Sequence, residues 1–216
     1  MDTKIDIYTE VKIILFCLKN RALHVLVRPA SERLQNVFPS RSLSAAYTLE
    51  ENAQQCLYDL LAHNEIYLEQ LFTYGDQQNK DHQRILSVVY FALLPINKTD
   101  LRNQEFIWVP VSEHGNLNDH ENQMLEYALR RLRYKLEYTA IGFELLPETF
   151  SLTDLQHTYE IVLDEALDKR NFRRRILQAN IIEPTPYRKT GEGRPATLYR
   201  YRSDAVAEIK TRRLFP

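Results

Sequence analysis

The chain has 216 residues, 44% hydrophobic and 26% charged, a balance that excludes disorder as its main state and fits one large or two modest globular domains. No apolar run approaches the ~20 residues that span a bilayer; the best is Val11 to Cys17, and Met1-Asp2-Thr3-Lys4 lacks the basic-then-apolar layout of a signal peptide, so a cytoplasmic protein with no membrane partner is expected. Two cysteines, Cys17 and Cys56, exclude a disulfide framework, and the histidines and cysteines lack zinc-site spacing; no cofactor or metal is expected.

Glu10 to Cys17 is β-branched and apolar, and Ala22 to Val27 alternates, with Lys19-Asn20-Arg21 between them; this predicts a hairpin. Residues 28–47 read as loop, broken by Pro29 and Pro39. Thr48 and Glu51 form the capping box of a helix whose apolar face is Ala53, Leu57, Leu60 and Leu61. Tyr67 to Tyr74 and Arg84 to Leu94 predict strands flanking a polar loop from Gly75 to Gln83, and Phe106 to Val109 a shorter one. Asp119 is placed to cap a long helix reaching about Tyr138, with Leu125, Ala128, Leu129, Leu132 and Leu136 on one face.

After Gly142 and Pro147 come two helical patterns, Thr153 to Leu163 and Asp168 to Ala179, then a short strand at Ile181-Ile182. A loop with Pro184, Pro186, Gly191 and Gly193 leads to a last strand, Leu198 to Tyr201. Helix, turn, helix and glycine-containing hairpin is the order of a winged helix-turn-helix.

Charge follows this division. The total is −1, but residues 150–216 hold 13 basic and 9 acidic residues, and the window 169–202 holds ten basic residues against Glu183 and Glu192. Such asymmetry points to an anionic partner, the alternative being a solvated basic surface. On the second helix Phe172, Ile176 and Ala179 face the core, and Lys169, Arg170, Arg173 and Arg174 fall on the other side with Asn171 as a further polar reader. An arginine face on a packed helix suits the major groove, where arginine pairs with guanine or clamps phosphate. Arg188, Lys189 and Arg194 put charge on the hairpin, which suits backbone or minor-groove contact.

The segment Leu145-Leu146-Pro147-Glu148-Thr149-Phe150-Ser151-Leu152-Thr153-Asp154-Leu155-Gln156, followed by Leu167-Asp168-Lys169-Arg170-Asn171-Phe172-Arg173-Arg174, resembles the C-terminal winged helix of the bacterial Nudix-related transcriptional regulators, the NrtR family. Gly193-Arg194-Pro195-Ala196 and Leu198-Tyr199-Arg200 resemble the family's wing, and Asp119-His120 with Phe143-Glu144 extends the likeness back through the linker helix. The resemblance implies an α+β chain: a Nudix-like α/β/α sandwich with a mixed sheet over 1–118, a linker helix over 119–142 and a winged helix-turn-helix over 143–216.

It also lets the Nudix box be placed without gaps, anchored on Leu49-Glu50-Glu51 and Tyr67-Leu68-Glu69-Gln70-Leu71. The first box glycine falls on Arg41 and the first glutamate on Tyr47. The Arg-Glu pair falls on Gln55 and Cys56, the Glu-Glu pair on Asp59 and Leu60, and the closing glycine on Ala62. Of four acidic positions only Asp59 stays acidic. Magnesium needs several carboxylate oxygens, and water attack on a pyrophosphate needs the magnesium. No catalytic residue and no hydrolase activity are therefore expected; Cys56 reads as a small core side chain and Asp59 as a solvated helix residue.

The family resemblance implies a dimeric repressor of a palindromic double-stranded operator, whose Nudix-like half senses a metabolite. In the family this is ADP-ribose or another product of NAD metabolism, and in one branch a sugar such as arabinose. Arg84, before the strand Ile85-Leu86-Ser87-Val88-Val89-Tyr90, is either a phosphate contact or a surface arginine. Arg41 either adds a phosphate contact or closes the pocket. Two alternatives compete: a residual hydrolase of nucleoside-diphosphate compounds, and a metabolite-binding protein that acts through another protein.

Overall fold

The computed structural model describes residues 7–29, 35–63, 66–78, 84–113, 116–190, 195–202 and 204–205. Two units divide the chain. One comprises the chain to Cys17, His24–Leu94 and Lys98–Ala128; the other comprises Leu18–Leu23, Pro95–Asn97 and the chain from Leu129.

In the first unit the apolar runs become a mixed sheet. β1 (Ile7–Lys19) and β2 (Ala22–Val27) form the expected hairpin, with Asn20 and Arg21 both at positive φ (50° and 59°). Two consecutive left-handed residues make the type I′ turn, whose twist matches the flanking strands. β3 (Ser40–Ser42) pairs antiparallel with β1, so the predicted loop over 28–47 contains a short strand. β4 (Tyr67–Gln78) runs past the expected end at Tyr74 by way of a bulge, and pairs antiparallel with β5 (Arg84–Leu94). β5 lies parallel to β1, and β6 (Ile107–Pro110) closes the order β4-β5-β1-β2-β6. β5 pairs parallel with β1, whereas β3/β1, β2/β6 and β4/β5 are antiparallel, which makes the sheet mixed as expected.

Helix α1 (Leu49–Leu60) starts at the capping box: Thr48 accepts from the Glu51 backbone, and the Glu51 carboxylate accepts from Thr48 N–H. Its buried face, Ala53, Cys56, Leu57 and Leu60, packs on Val11, Ile13, Leu15 and Cys17 of β1 and Val88, Tyr90, Ala92 and Leu94 of β5. These strand residues alternate, so the intervening ones face the other side of the sheet. Lys12 is one of them, and it meets Glu121 in the first turn of α2 (Asp119–Tyr138). Helices on both faces make the α/β/α sandwich. The α2 cap is Asn118 rather than Asp119: its Oδ1 accepts from Glu121 N–H at 2.8 Å, and Asp119 is the first helical residue.

In the second unit α3 (Leu152–Leu163) begins at a capping box of Ser151 and Asp154 and ends at Asp164 in the left-handed region. Asp168 caps α4 (Lys169–Gln178), accepting from Asn171 N–H at 2.7 Å. The hairpin pairs β7 (Ile182–Lys189) with β8 (Ala196–Tyr201), and a bridge from Phe150 to Tyr199 adds a third edge. β7 is longer than the two residues predicted. Pro184 and Pro186, read as loop residues, are accommodated where the β7/β8 register shifts between Pro184 and Arg188. Leu155, Tyr159, Val162, Phe172, Ile176 and Ile181 are buried, with Tyr159 and Phe172 in edge contact at 5.6 Å.

Gly142 sits at a close approach in this unit. A Cβ there would lie 2.8 Å from both Leu136 Cδ2 and Tyr159 Cε2. Gly142→Ala is expected to destabilise by about 1–3 kcal/mol through overpacking, read as a lower midpoint in thermal unfolding. An unchanged midpoint would mean that this core yields at no cost.

Candidate nucleic-acid interface and sensing site

Helix α4 buries Phe172 and Ile176, one turn apart, while Lys169, Arg170 and Arg174 are exposed. This separation follows from helical periodicity and leaves basic side chains pointing away from the core. Ala179, expected on the core side, is half-buried at the C-cap. Asn171 and Arg173 are half-buried and act partly as local supports. Arg174 Nη2 donates to Asn171 Oδ1 at 2.8 Å, and Arg173 Nη2 donates to Thr153 Oγ1 at 3.1 Å. Both guanidiniums are thus partly oriented before any ligand arrives, which lowers the entropy lost on binding.

The turn into α4 is itself fixed. Gln156 Nε2 donates to Leu167 O and to Glu160 Oε1, and the same Glu160 oxygen accepts from Leu167 N–H. On the hairpin, Arg188 and Lys189 are exposed, and Lys189 Nζ reaches Asp154 at 2.9 Å. Burial pushes the Asp154 carboxyl upward, but hydrogen bonds from Lys189 and from Ser151 outweigh it and hold the group below the usual aspartate value. Lys189 therefore ties the wing to the start of α3 as well as adding charge. Arg194 lies outside the described residues.

The remaining two expected residues are in the first unit. Arg41 on β3 sits opposite Val11, on the sheet face that α1 covers, and its Nη1 lies 2.5 Å from Asp59 Oδ2. Asp59 is therefore not simply solvated, as its sequence context suggested, but ion-paired. Cys56 is buried, and burial, then the neighbouring Asp59, push its thiol up to about 12. It stays protonated and belongs to the core. Arg84 is exposed and pairs with Ile7, on the other side of β1 from β3 and four residues from Val11, about 13 Å along the strand. The fold does not bring Arg41 and Arg84 together.

Three features escaped the sequence. Buried Asn52 holds the loop into α1: its Nδ2 donates to the carbonyls of Ser44, Tyr47 and Thr48, and its Oδ1 accepts from Ser44 N–H. Thr153 and Asp154 support the basic side chains; only the Ser-x-x-Asp spacing hinted at them. The third is a buried ionic chain. Lys12 Nζ lies 2.5 Å from Glu121 Oε1 and 3.5 Å from Glu10 Oε1. Glu121 Oε2 also accepts from Phe38 N–H at 3.1 Å, and Ser87 Oγ donates to Glu10 at 2.7 Å. Burial lowers the Lys12 pKa, but Glu121 and Glu10 outweigh it and raise it above the ordinary lysine value.

Residues 142–201 match the NrtR DNA-binding winged helix domain. Over almost its whole length the chain superposes on Shewanella oneidensis NrtR complexed with a 27mer DNA, with a TM-score of 0.81, 27% identity and coverage of 96% of this chain and 99% of that one. The C-terminal part of the chain is thus similar to the winged helix of NrtR, and its overall fold is similar to that of the Shewanella protein. A protein of Acinetobacter baylyi described as an ADPR responsive transcriptional repressor, NtrR, is 36% identical over 141 residues, 62% of this chain and 56% of the relative. The chain thus spans little more than half the length of that curated relative. A MutT/nudix family protein from Enterococcus faecalis shares the fold at 14% identity, with a TM-score of 0.66 over 93% of this chain and 90% of that one. The chain thus has a Nudix-like sandwich and a C-terminal winged helix, as its sequence predicts. Among the described residues no helix is long and apolar enough to cross a membrane.

Proposed function

We propose that this chain is an NrtR-type ligand-responsive, DNA-binding transcriptional repressor that acts as a homodimer on a palindromic operator in the cytoplasm. The carrying observation is the basic face of α4, packed on Phe172 and Ile176 and flanked by a charged wing. Lys169, Arg170, Asn171, Arg173 and Arg174 would read or clamp the major groove; Arg188, Lys189 and Arg194 would follow the backbone. The DNA-bound Shewanella relative and the repressor description of the Acinetobacter relative support this reading. The proposed organisation is a sensing half over 1–118, a linker helix over 119–142 and a DNA-binding half over 143–216.

The sensing half would bind ADP-ribose, the effector named for the Acinetobacter relative, without hydrolysing it. Three of the four acidic box positions hold Tyr47, Cys56 and Leu60, which favours loss of hydrolysis. Arg41 is the better candidate for a phosphate contact, and Arg84 is a more remote one. A route out of the pocket is supported by Glu121: it accepts from Phe38 N–H, three residues before Arg41, and lies in the first turn of the long helix α2. An effector changes operator affinity only by binding the two states differently, and a loop hydrogen-bonded to a helix start is an element that can differ between states.

The test is selection of bound duplexes from fragmented genomic DNA at physiological salt, with and without ADP-ribose. Enrichment of a palindrome, lost when ADP-ribose is added, is the expected result. Affinity for that palindrome should fall with salt at a log–log slope of about −0.9 per phosphate contacted. Ligand binding with only nonspecific duplex affinity, roughly 10⁻⁴–10⁻⁶ M, would instead favour a protein that acts through another protein.

A further inference from the structure

We infer that the Arg41 guanidinium replaces the divalent cation of the Nudix box, so that this chain holds an effector diphosphate without metal. The inference rests on the sensing role proposed above. The residues at the box positions do not suit magnesium. Tyr47 and Leu60 offer no carboxylate, Cys56 offers a protonated thiol, and magnesium prefers hard oxygen donors. The one remaining acid, Asp59, already has a cation: Arg41 Nη1 at 2.5 Å.

Arg41 stands at a box position itself, that of the first glycine. β3 fixes its backbone opposite Val11, which packs under α1. Its side chain is about a third exposed, so a ligand can reach it, and the bond to Asp59 uses only part of its planar set of N–H donors. The remaining donors match a phosphate in geometry and charge.

Charge balance leads to the same conclusion. A full box gathers several carboxylates, and a diphosphate meets strong repulsion there until a divalent ion is bound. Here one carboxylate faces one guanidinium, and the pair is neutral. A diphosphate approaching Arg41 needs no metal to offset surplus negative charge at the box.

The test uses the intact protein and two probes: manganese alone, followed by electron paramagnetic resonance, and ADP-ribose, followed by calorimetry in magnesium or in EDTA. The expected results are no manganese binding and the same ADP-ribose affinity in both buffers, within about twofold. Arg41→Ala should weaken ADP-ribose about tenfold or more in either buffer, as loss of a charge-assisted contact does. Asp59→Asn separates the two explanations by sign. It should preserve or tighten ADP-ribose binding, because it releases the guanidinium, whereas a metal ligand lost at that position would abolish binding. Both substituted side chains lie at the surface, and a thermal melt checks that each variant is folded. Loss of binding in EDTA or in Asp59→Asn, or tight manganese binding, would overturn the inference and leave the regulator intact. No ADP-ribose binding in either buffer would overturn both the inference and ADP-ribose as effector, with the duplex selection still deciding DNA binding.

Discussion

Replacing Arg173 and Arg174 together with alanine is expected to leave a folded protein that no longer distinguishes its operator from other duplexes. Each arginine-to-base or arginine-to-phosphate contact is worth about 1–3 kcal/mol, so the pair should cost roughly 30-fold to 10⁴-fold in operator affinity. Neither side chain belongs to the buried cluster of Phe172 and Ile176, so folding should survive. The two arginines are not equivalent, however. Arg173 donates to Thr153 of α3, while Arg174 donates within its own helix to Asn171. Thr153→Val should therefore weaken the operator complex less than Arg173→Ala does, by loosening one guanidinium rather than removing it. Anisotropy titrations with the operator and a scrambled duplex of equal length measure both. Equal operator affinity for the double variant and the parent would remove α4 from the interface. A loss equal on both duplexes would assign the arginines to the phosphate backbone alone.

The second large effect concerns Lys12. It is almost fully buried between Glu10 and Glu121, themselves buried. Lys12→Met is expected to destabilise the protein by about 3–5 kcal/mol, because it leaves two carboxylates without their cation in a low-dielectric interior. Replacing Glu121 with methionine as well should recover part of that loss, since one uncompensated charge then disappears with the other. The pH dependence has a definite sign. The Lys12 pKa is raised in the folded state, so its contribution is complete below the ordinary lysine value of 10.5 and is lost as pH rises through the folded value. Urea unfolding of the parent and both variants supplies the numbers. A loss below about 1 kcal/mol for Lys12→Met would indicate that water reaches the carboxylates when the lysine is gone. The same chain touches the proposed sensing route, because Glu121 also receives the Phe38 N–H. The Glu121 variant is therefore expected to respond less to ADP-ribose even where it folds.

Much of this molecule is legible in one dimension because the governing interactions are local. The Thr48/Glu51 box and the Asp168 cap are decided within four residues, and both are present. The face of α4 follows largely from period: Phe172 and Ile176 are buried, Arg174 is exposed, and Arg173 and Arg175 are half-buried at the edge of the face. Once the family resemblance places the box, its acidic positions fall on Tyr47, Cys56 and Leu60, none of which carries a carboxylate. Proline was the main source of local error. Pro184 and Pro186 read as loop residues, yet β7 passes through both because its partner β8 is out of register there.

What the sequence could not supply is pairing between residues far apart in the chain. Glu10, Lys12 and Glu121 are three ordinary charged residues until the alternation of β1 turns Lys12 toward the face that α2 covers, 109 residues later. Asp59 looks solvated until β3 places Arg41 beside it, 18 residues earlier in the chain. Arg41 and Arg84 were each a candidate phosphate contact, but their strands lie on opposite sides of β1 and at different heights. Capping, helical periodicity and side-chain chemistry act over a few residues and are written into the sequence. Ion pairs and shared faces depend on strand order and register, which the chain acquires only when the sheet forms.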